Sequence, residues 1–75
     1  MPRIFFVRPR GGGWSVQSEG LLLEFSSGAR AEAWARRVAQ DHAATGVSAE
    51  VRIMLRDGGL AGVSLYKKGS VLIPA

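Results

Sequence analysis

The sequence predicts an α+β fold, a two-layer sandwich in which one helix covers an antiparallel sheet of five to six strands. Apolar and polar residues alternate with a period of two on both sides of a single segment that has helical spacing. Glycine-containing turn signals separate the alternating segments. Because 75 residues suit one small domain, we predict a single α+β domain over residues 1–75, with the element order βββ-α-ββ(β).

The first third of the chain predicts a three-stranded antiparallel meander. Residues 3–8 are mostly β-forming, and Pro9 is expected to end this strand because it has no N–H to donate. Period-two alternation begins again at Trp14, after three glycines. It resumes over residues 21–25, after a turn at residues 19–20, so three strands are expected to follow one another through short turns.

A helix is predicted after Ser27, which is a favourable N-cap residue and precedes an alanine-rich segment. From Ala31 to His42 the apolar residues recur at helical spacing, with charged residues on the opposite side. Gly46 is expected to end the helix in a left-handed conformation. The apolar side is mostly alanine, so we expect this helix to lie close to the sheet, with Trp34 as its one large side chain.

Two further strands are predicted after the helix. Residues 49–55 alternate, with Val51, Ile53 and Leu55 expected to face the core. The pair Asp57 and Gly58 predicts a hairpin turn, and residues 60–66 are expected to form the returning strand. Residues 67–70 predict a further hairpin turn, and the apolar residues 71–73 suit a short sixth strand.

Composition limits the classes of function. The chain has 10 Lys and Arg against 6 Asp and Glu, a net charge of +4 that favours polyanionic partners. It has no cysteine and one histidine, so disulfides and thiolate metal sites are excluded and we expect no metal and no cofactor. Its apolar runs are far shorter than the roughly 18 residues typical of a membrane span, and it lacks a signal-peptide pattern. We therefore expect a cytoplasmic protein without a membrane partner.

Three segments carry a family resemblance: Gly12-Gly13-Trp14-Ser15-Val16, then Phe25-Ser26-Ser27 before the alanine-rich helix, then Arg56-Asp57-Gly58. In order and spacing they resemble a family of small bacterial proteins catalogued as domain of unknown function 2188, over roughly residues 4–60. The resemblance implies a shared fold and no established activity. This chain has Arg30 where the family has glutamate, and Met54-Leu55 where it has His-Gly, so no role of that histidine is carried over.

The glycine-rich segment at residues 8–14 is the strongest candidate for a phosphate-binding loop. Such a loop leads into a helix N-terminus, whereas these glycines lead into a predicted strand, so a hairpin connection is favoured. His42 is the other candidate for chemistry, but no nucleophile or carboxylate is placed to work with it. A small hydrolase or nucleotide binder would rest on these two features alone. We therefore predict no catalytic residues and no enzyme activity.

The preferred hypothesis is a small homodimeric binding module that contacts nucleic acid through a basic rim. The phosphate contacts would be Arg8 and Arg10 at one end of the first hairpin and Lys67 and Lys68 at the end of the fifth strand, all expected at one end of the sheet. Exposed aromatic residues nearby would supply stacking surfaces for single-stranded nucleic acid.

The alternative hypothesis is a module that docks a protein partner or a second copy on the sheet face left uncovered by the helix, or along an edge strand. That interaction face is expected to carry Phe5, Leu22, Met54 and Tyr66. The order of meander, helix and strand is also loosely like the N-terminal domain of antitoxins that cap small ribonuclease toxins. The sequence identifies no biological partner.

Overall fold

A single helix lies across one face of a five-stranded sheet in the computed structural model, which describes residues 2–68. The elements in chain order are β1 (Arg3–Arg10), β2 (Gly13–Ser18), β3 (Leu21–Phe25), α1 (Gly28–Ala44), β4 (Ala49–Met54) and β5 (Leu60–Tyr66). The predicted α+β class and the order βββ-α-ββ are confirmed. The sixth strand predicted at residues 71–73 lies outside the described residues. Among the described residues, no helix is long and apolar enough to cross a membrane.

The strand order across the sheet is β3-β2-β1-β4-β5, with β1 in the middle. Three neighbouring pairs are antiparallel, but β1 and β4 pair in parallel, from Arg3 beside Ala49 to Val7 beside Ile53. The sheet is therefore mixed and not wholly antiparallel as expected. Two hairpin turns make β3 run in the same direction as β1, and the helix then returns the chain so that β4 runs in that direction too.

The glycine-rich segment connects β1 to β2 as a tight hairpin, as predicted. Arg10 pairs with Gly13, which leaves Gly11 and Gly12 as the two turn residues. Gly11 has a φ of 59°, a conformation that glycine adopts without steric cost and that suits the first central position of a type II′ turn. Pro9 does not end the strand: it pairs with Trp14 and lies beyond Val7, where the pairing of β1 with β4 has already stopped.

Both predicted ends of the helix are confirmed. The Ser27 side chain accepts a hydrogen bond of 3.2 Å from the backbone N–H of Arg30, the usual N-cap contact. At the other end Gly46 has a φ of 101°, and its N–H donates to the carbonyl of Ala43 over 3.1 Å. The N–H of Val47 donates to the carbonyl of His42 over 2.8 Å, which completes a Schellman motif.

Removing the N-cap is expected to weaken the fold measurably. Ser27→Ala leaves the N–H of Arg30 without its side-chain acceptor, which typically costs about 1 kcal/mol of unfolding free energy. Ser26→Ala is the matched control, because Ser26 is exposed and lies one residue before the cap. Urea titration followed by circular dichroism measures both variants. Equal loss of stability in the two variants would contradict the capping role of Ser27.

The core lies between the alanine side of α1 and the centre of the sheet. The four fully buried residues of the helix are Ala31, Ala35, Ala39 and Ala43. They cover the buried residues of the sheet, which include Phe5, Val7, Val16 and Val51. Because alanine has a small side chain, the helix lies close to the strands and Trp34 fills the margin.

One predicted core residue is placed elsewhere. Leu55 was expected to face inward at the end of the fourth strand, but β4 ends at Met54 and Leu55 is exposed. The pairing of β4 with β5 shifts after Ile53, so that Met54 pairs with Leu60 and Ala61 is skipped. This bulge carries Leu55 into the turn, where its N–H donates to the carbonyl of Gly59 over 2.7 Å.

Candidate binding face on the open side of the sheet

The face of the sheet opposite α1 is left uncovered by the described residues, and we call it the open face. Its side chains alternate along each strand with those that face the helix. They are Ile4, Phe6, Arg8 and Arg10 of β1, Ser15 and Gln17 of β2, Leu22 and Glu24 of β3, Glu50, Arg52 and Met54 of β4, and Val63 and Leu65 of β5.

Two of the four residues predicted for this face lie on the other side of the sheet. Phe5 is 1% exposed and its ring lies against Trp34, with centroids 6.5 Å apart. Tyr66 pairs with Ala49 and packs against the core. Leu22 and Met54 do lie on the open face. Phe6 takes the place expected for Phe5, because a shift of one residue along a strand exchanges the two faces.

The centre of the open face holds an aromatic ring that lies close to two cations. The guanidinium carbon of Arg8 lies 5.9 Å from the centroid of the Phe6 ring, and that of Arg52 lies 5.8 Å from it. Both distances fall within the range of cation–π attraction. The pairing of strands produces this arrangement, since Arg52 on β4 lies directly beside Phe6 on β1. We call Phe6, Arg8 and Arg52 the arginine–phenylalanine cluster.

The two arginines of the cluster differ in their anionic partners. Arg52 forms an ion pair with Glu50, two residues away on the same strand. Arg8 has no carboxylate within 4.0 Å among residues 2–68. Arg52 is therefore held by a neighbour, whereas the Arg8 guanidinium is available to an anionic ligand.

Two more arginines lie at the end of the sheet where β1 and β4 both finish. Arg10 closes the first hairpin, and Arg56 lies in the turn after β4. A guanidinium N–H of Arg56 donates to the carbonyl of Gly11 over 3.4 Å, which links the two turns. Within the described part of the chain, neither arginine has a carboxylate partner within 4.0 Å. The parallel pairing of β1 and β4 thus gathers Arg8, Arg10 and Arg56 toward one end.

The expected basic rim is divided between the two ends of the sheet. Lys67 and Lys68 follow Tyr66, which pairs with Ala49, and Ala49 pairs with Arg3 at the start of β1. They therefore lie at the opposite end from Arg10. The prediction placed Arg8, Arg10, Lys67 and Lys68 together because it assumed that every pair of neighbouring strands is antiparallel. The pairing of β1 with β4 is parallel, which puts the two lysines at the other end. Arg52 was not predicted as a site residue, although its outward position in an alternating strand was recognisable.

A shallow groove of about 460 Å³ runs along the open face beside Phe6. It is lined by Pro2, Arg3, Ile4, Phe6, Arg8, Gln17, Ser18 and Glu19. Two hydrogen bonds fix one end of it: Arg3 donates to the Glu19 carbonyl over 3.2 Å, and the Ser18 hydroxyl donates to the Ile4 carbonyl over 2.8 Å. The volume lies within the range of small-ligand sites, roughly 300–1,000 Å³.

The other predicted candidate for chemistry, His42, lies on the helix side of the sheet. Its ring centroid is 5.7 Å from that of Phe5, so it packs at the margin of the core, away from the open face. No group of three or more potential metal ligands occurs among the residues that the structure describes.

Comparison of the chain with protein-family models, with curated proteins and with solved structures gives no match.

Proposed function

We propose that the protein is a small non-catalytic module that binds single-stranded nucleic acid on its open face. The observation that carries the proposal is the arginine–phenylalanine cluster at the centre of an uncovered sheet. Proteins that bind single strands combine aromatic rings, on which bases stack, with cations that follow the phosphate backbone. Phe6 supplies the ring, and Arg8 supplies a cation without a carboxylate partner among the described residues.

The shape of the face favours single strands over duplex. Reading a duplex generally requires a protruding helix or a two-stranded ribbon that enters a groove. Here the ring lies in the middle of a sheet, where an unpaired base can approach it. A strand that stacks one base on Phe6 would carry its backbone past Arg8 toward Arg10 and Arg56, which lie at the same end.

Other features agree with this proposal without carrying it. The net charge of +4 assists the approach of any polyanion. We further propose that the chain belongs to the family catalogued as domain of unknown function 2188, that it forms a homodimer and that it is cytoplasmic.

The double variant Arg8→Ala/Arg10→Ala is expected to bind a fluorescent single-stranded oligonucleotide about tenfold or more weakly than the unmodified protein. Fluorescence anisotropy at low salt measures this affinity. Each phosphate bound on a single strand adds about 0.7 to the steepness with which log affinity falls against log salt, so the double variant should reduce that steepness by about 1.4. The double variant Lys67→Ala/Lys68→Ala removes the same charge at the opposite end of the sheet. It should change the affinity far less.

The same titrations show which part of the proposal fails. Equal losses of affinity in the two double variants would mean that net charge alone attracts the oligonucleotide, without a site on the open face. No binding by the unmodified protein at low salt would contradict the proposed function altogether.

A protein partner on the open face is the second candidate. Exposed apolar side chains at both margins of the face favour it, namely Leu22 on β3 and Val63 and Leu65 on β5. This function predicts a partner that co-purifies with the protein, and an affinity that does not fall with salt. Substituting Leu22 and Leu65 with serine would then abolish the complex, whereas it would leave oligonucleotide binding intact.

A further inference from the structure

The strand β5 lies at one side of the sheet in the described part of the chain, with a free backbone edge. Natural edge strands are protected by charged side chains, prolines, bulges or very short length. Between Gly62 and Tyr66, β5 has neither a charge nor a proline, and its one irregularity precedes this segment, at Ala61. By contrast β3, on the other side of the sheet, carries the charged residue Glu24.

We infer that β5 pairs with β5 of a second copy of this chain, in antiparallel orientation. The regular part of the strand is Gly62 to Tyr66, so the two-fold axis passes beside its central residue, Ser64. In this register Val63 of each chain lies opposite Leu65 of the other. The two sheets then form one continuous sheet of ten strands, counted from the five in each described chain.

The side chains of β5 complement themselves in this register. On the open face, Val63 is 45% exposed and Leu65 is 67% exposed, and the pairing places these two apolar side chains against each other twice. On the helix side, Tyr66 lies opposite Gly62 of the second copy. A side chain at Gly62 would meet nothing within 4 Å, so there is room beside it for an aromatic ring.

The charges at the two ends of β5 also favour a second copy. An antiparallel partner places Lys67 near the turn that contains Asp57 of the second copy, and the reverse pair forms at the other end. Asp57 has no cationic partner within 4.0 Å among residues 2–68. A parallel partner would instead bring Lys67 and Lys68 beside their own copies. The antiparallel arrangement thus joins two chains of net charge +4 along an uncharged strand.

Paired charge substitutions test both the interface and its register. Val63→Lys and Leu65→Glu are each expected to convert the dimer of the full chain into a monomer, measured by sedimentation equilibrium. An equimolar mixture of the two variants should recover the dimer mass, because the introduced lysine of one chain then faces the introduced glutamate of the other. Circular dichroism establishes that each variant is folded before its mass is interpreted.

A single cysteine provides a second test, since the chain has none of its own. Ser64→Cys should form an intermolecular disulfide under mild oxidation, because directly opposed strand residues have Cα atoms about 4.5–5.5 Å apart, within disulfide range. Leu23→Cys, at the centre of β3 on the same face of the sheet, is the matched control and should not cross-link.

Several results would overturn the inference. A monomeric full chain would show that the edge of β5 is free, or is covered by another segment such as residues 71–73. A dimer that survives Val63→Lys, or cross-linking through position 23, would place the interface elsewhere. None of these results depends on nucleic-acid binding, so the inference and the proposed binding of nucleic acid fail separately.

Discussion

Replacing Phe5 with alanine is expected to lower the thermal midpoint of unfolding by more than about 12 °C. Truncating a buried phenylalanine costs about 3–5 kcal/mol, and 1 kcal/mol shifts the midpoint of so small a domain by about 4–8 °C. Phe5 is 1% exposed, and its ring contacts the rings of Trp34 and His42 on the helix. Alanine at this position would therefore leave a cavity between the helix and the sheet, which the helix has little means of closing. Thermal melting followed by circular dichroism measures the shift.

The neighbouring Phe6 provides a matched control for this substitution. Phe6→Ala makes the same change of composition on the open face, where it mainly removes two cation–π interactions worth about 0.5–1 kcal/mol each. Its midpoint should therefore fall much less than that of Phe5→Ala. Its affinity for single-stranded oligonucleotides should fall about 5- to 150-fold, since base stacking on an aromatic ring contributes about 1–3 kcal/mol. The reverse order of stabilities would contradict the assignment of the two faces.

Enlarging the alanine side of the helix is expected to have the second largest effect. Ala35 is fully buried between α1 and the sheet, so Ala35→Leu inserts three carbon atoms into the core. Overpacking of this kind costs about 1–3 kcal/mol, occasionally more, because side chains and backbone must shift. Urea unfolding should show a midpoint well below that of the unmodified protein.

Ala33→Leu is the control for overpacking. Ala33 lies on the same helix but is exposed, and leucine and alanine are both strong helix formers. Its unfolding free energy should change by less than about 0.5 kcal/mol. If Ala35→Leu were equally well tolerated, the helix would have to lie farther from the sheet than the burial of its alanines indicates.

Local signals in the sequence were sufficient to predict the elements of the fold. Ser27 begins the helix because its hydroxyl accepts a backbone N–H, and Gly46 ends it because the chain there adopts a left-handed conformation. Each signal acts within a few residues and does not depend on the rest of the structure. Alternation likewise placed Val16 and Val51 in the core.

Features that depend on partner choice between distant segments could not be predicted in this way. Nothing local to β1 specifies that β4 lies beside it, or that the two run in the same direction. The direction of β4 relative to β1 decides at which end of the sheet Lys67 and Lys68 lie, so the prediction placed these two lysines at the wrong end. Phe5 and Phe6 are a different case: they lie in a run of apolar residues without alternation, so the sequence does not distinguish their faces.

The central position of β1 has a consequence for the order of folding. The first strand of the domain occupies the middle of the sheet, and one of its two neighbours, β4, begins only at Ala49. A nascent chain that has completed α1 still lacks one of the two pairing partners of its central strand. Non-local pairing of this kind slows folding, because a long loop must close before the strands pair. The domain is therefore expected to fold only after β4 has been synthesised.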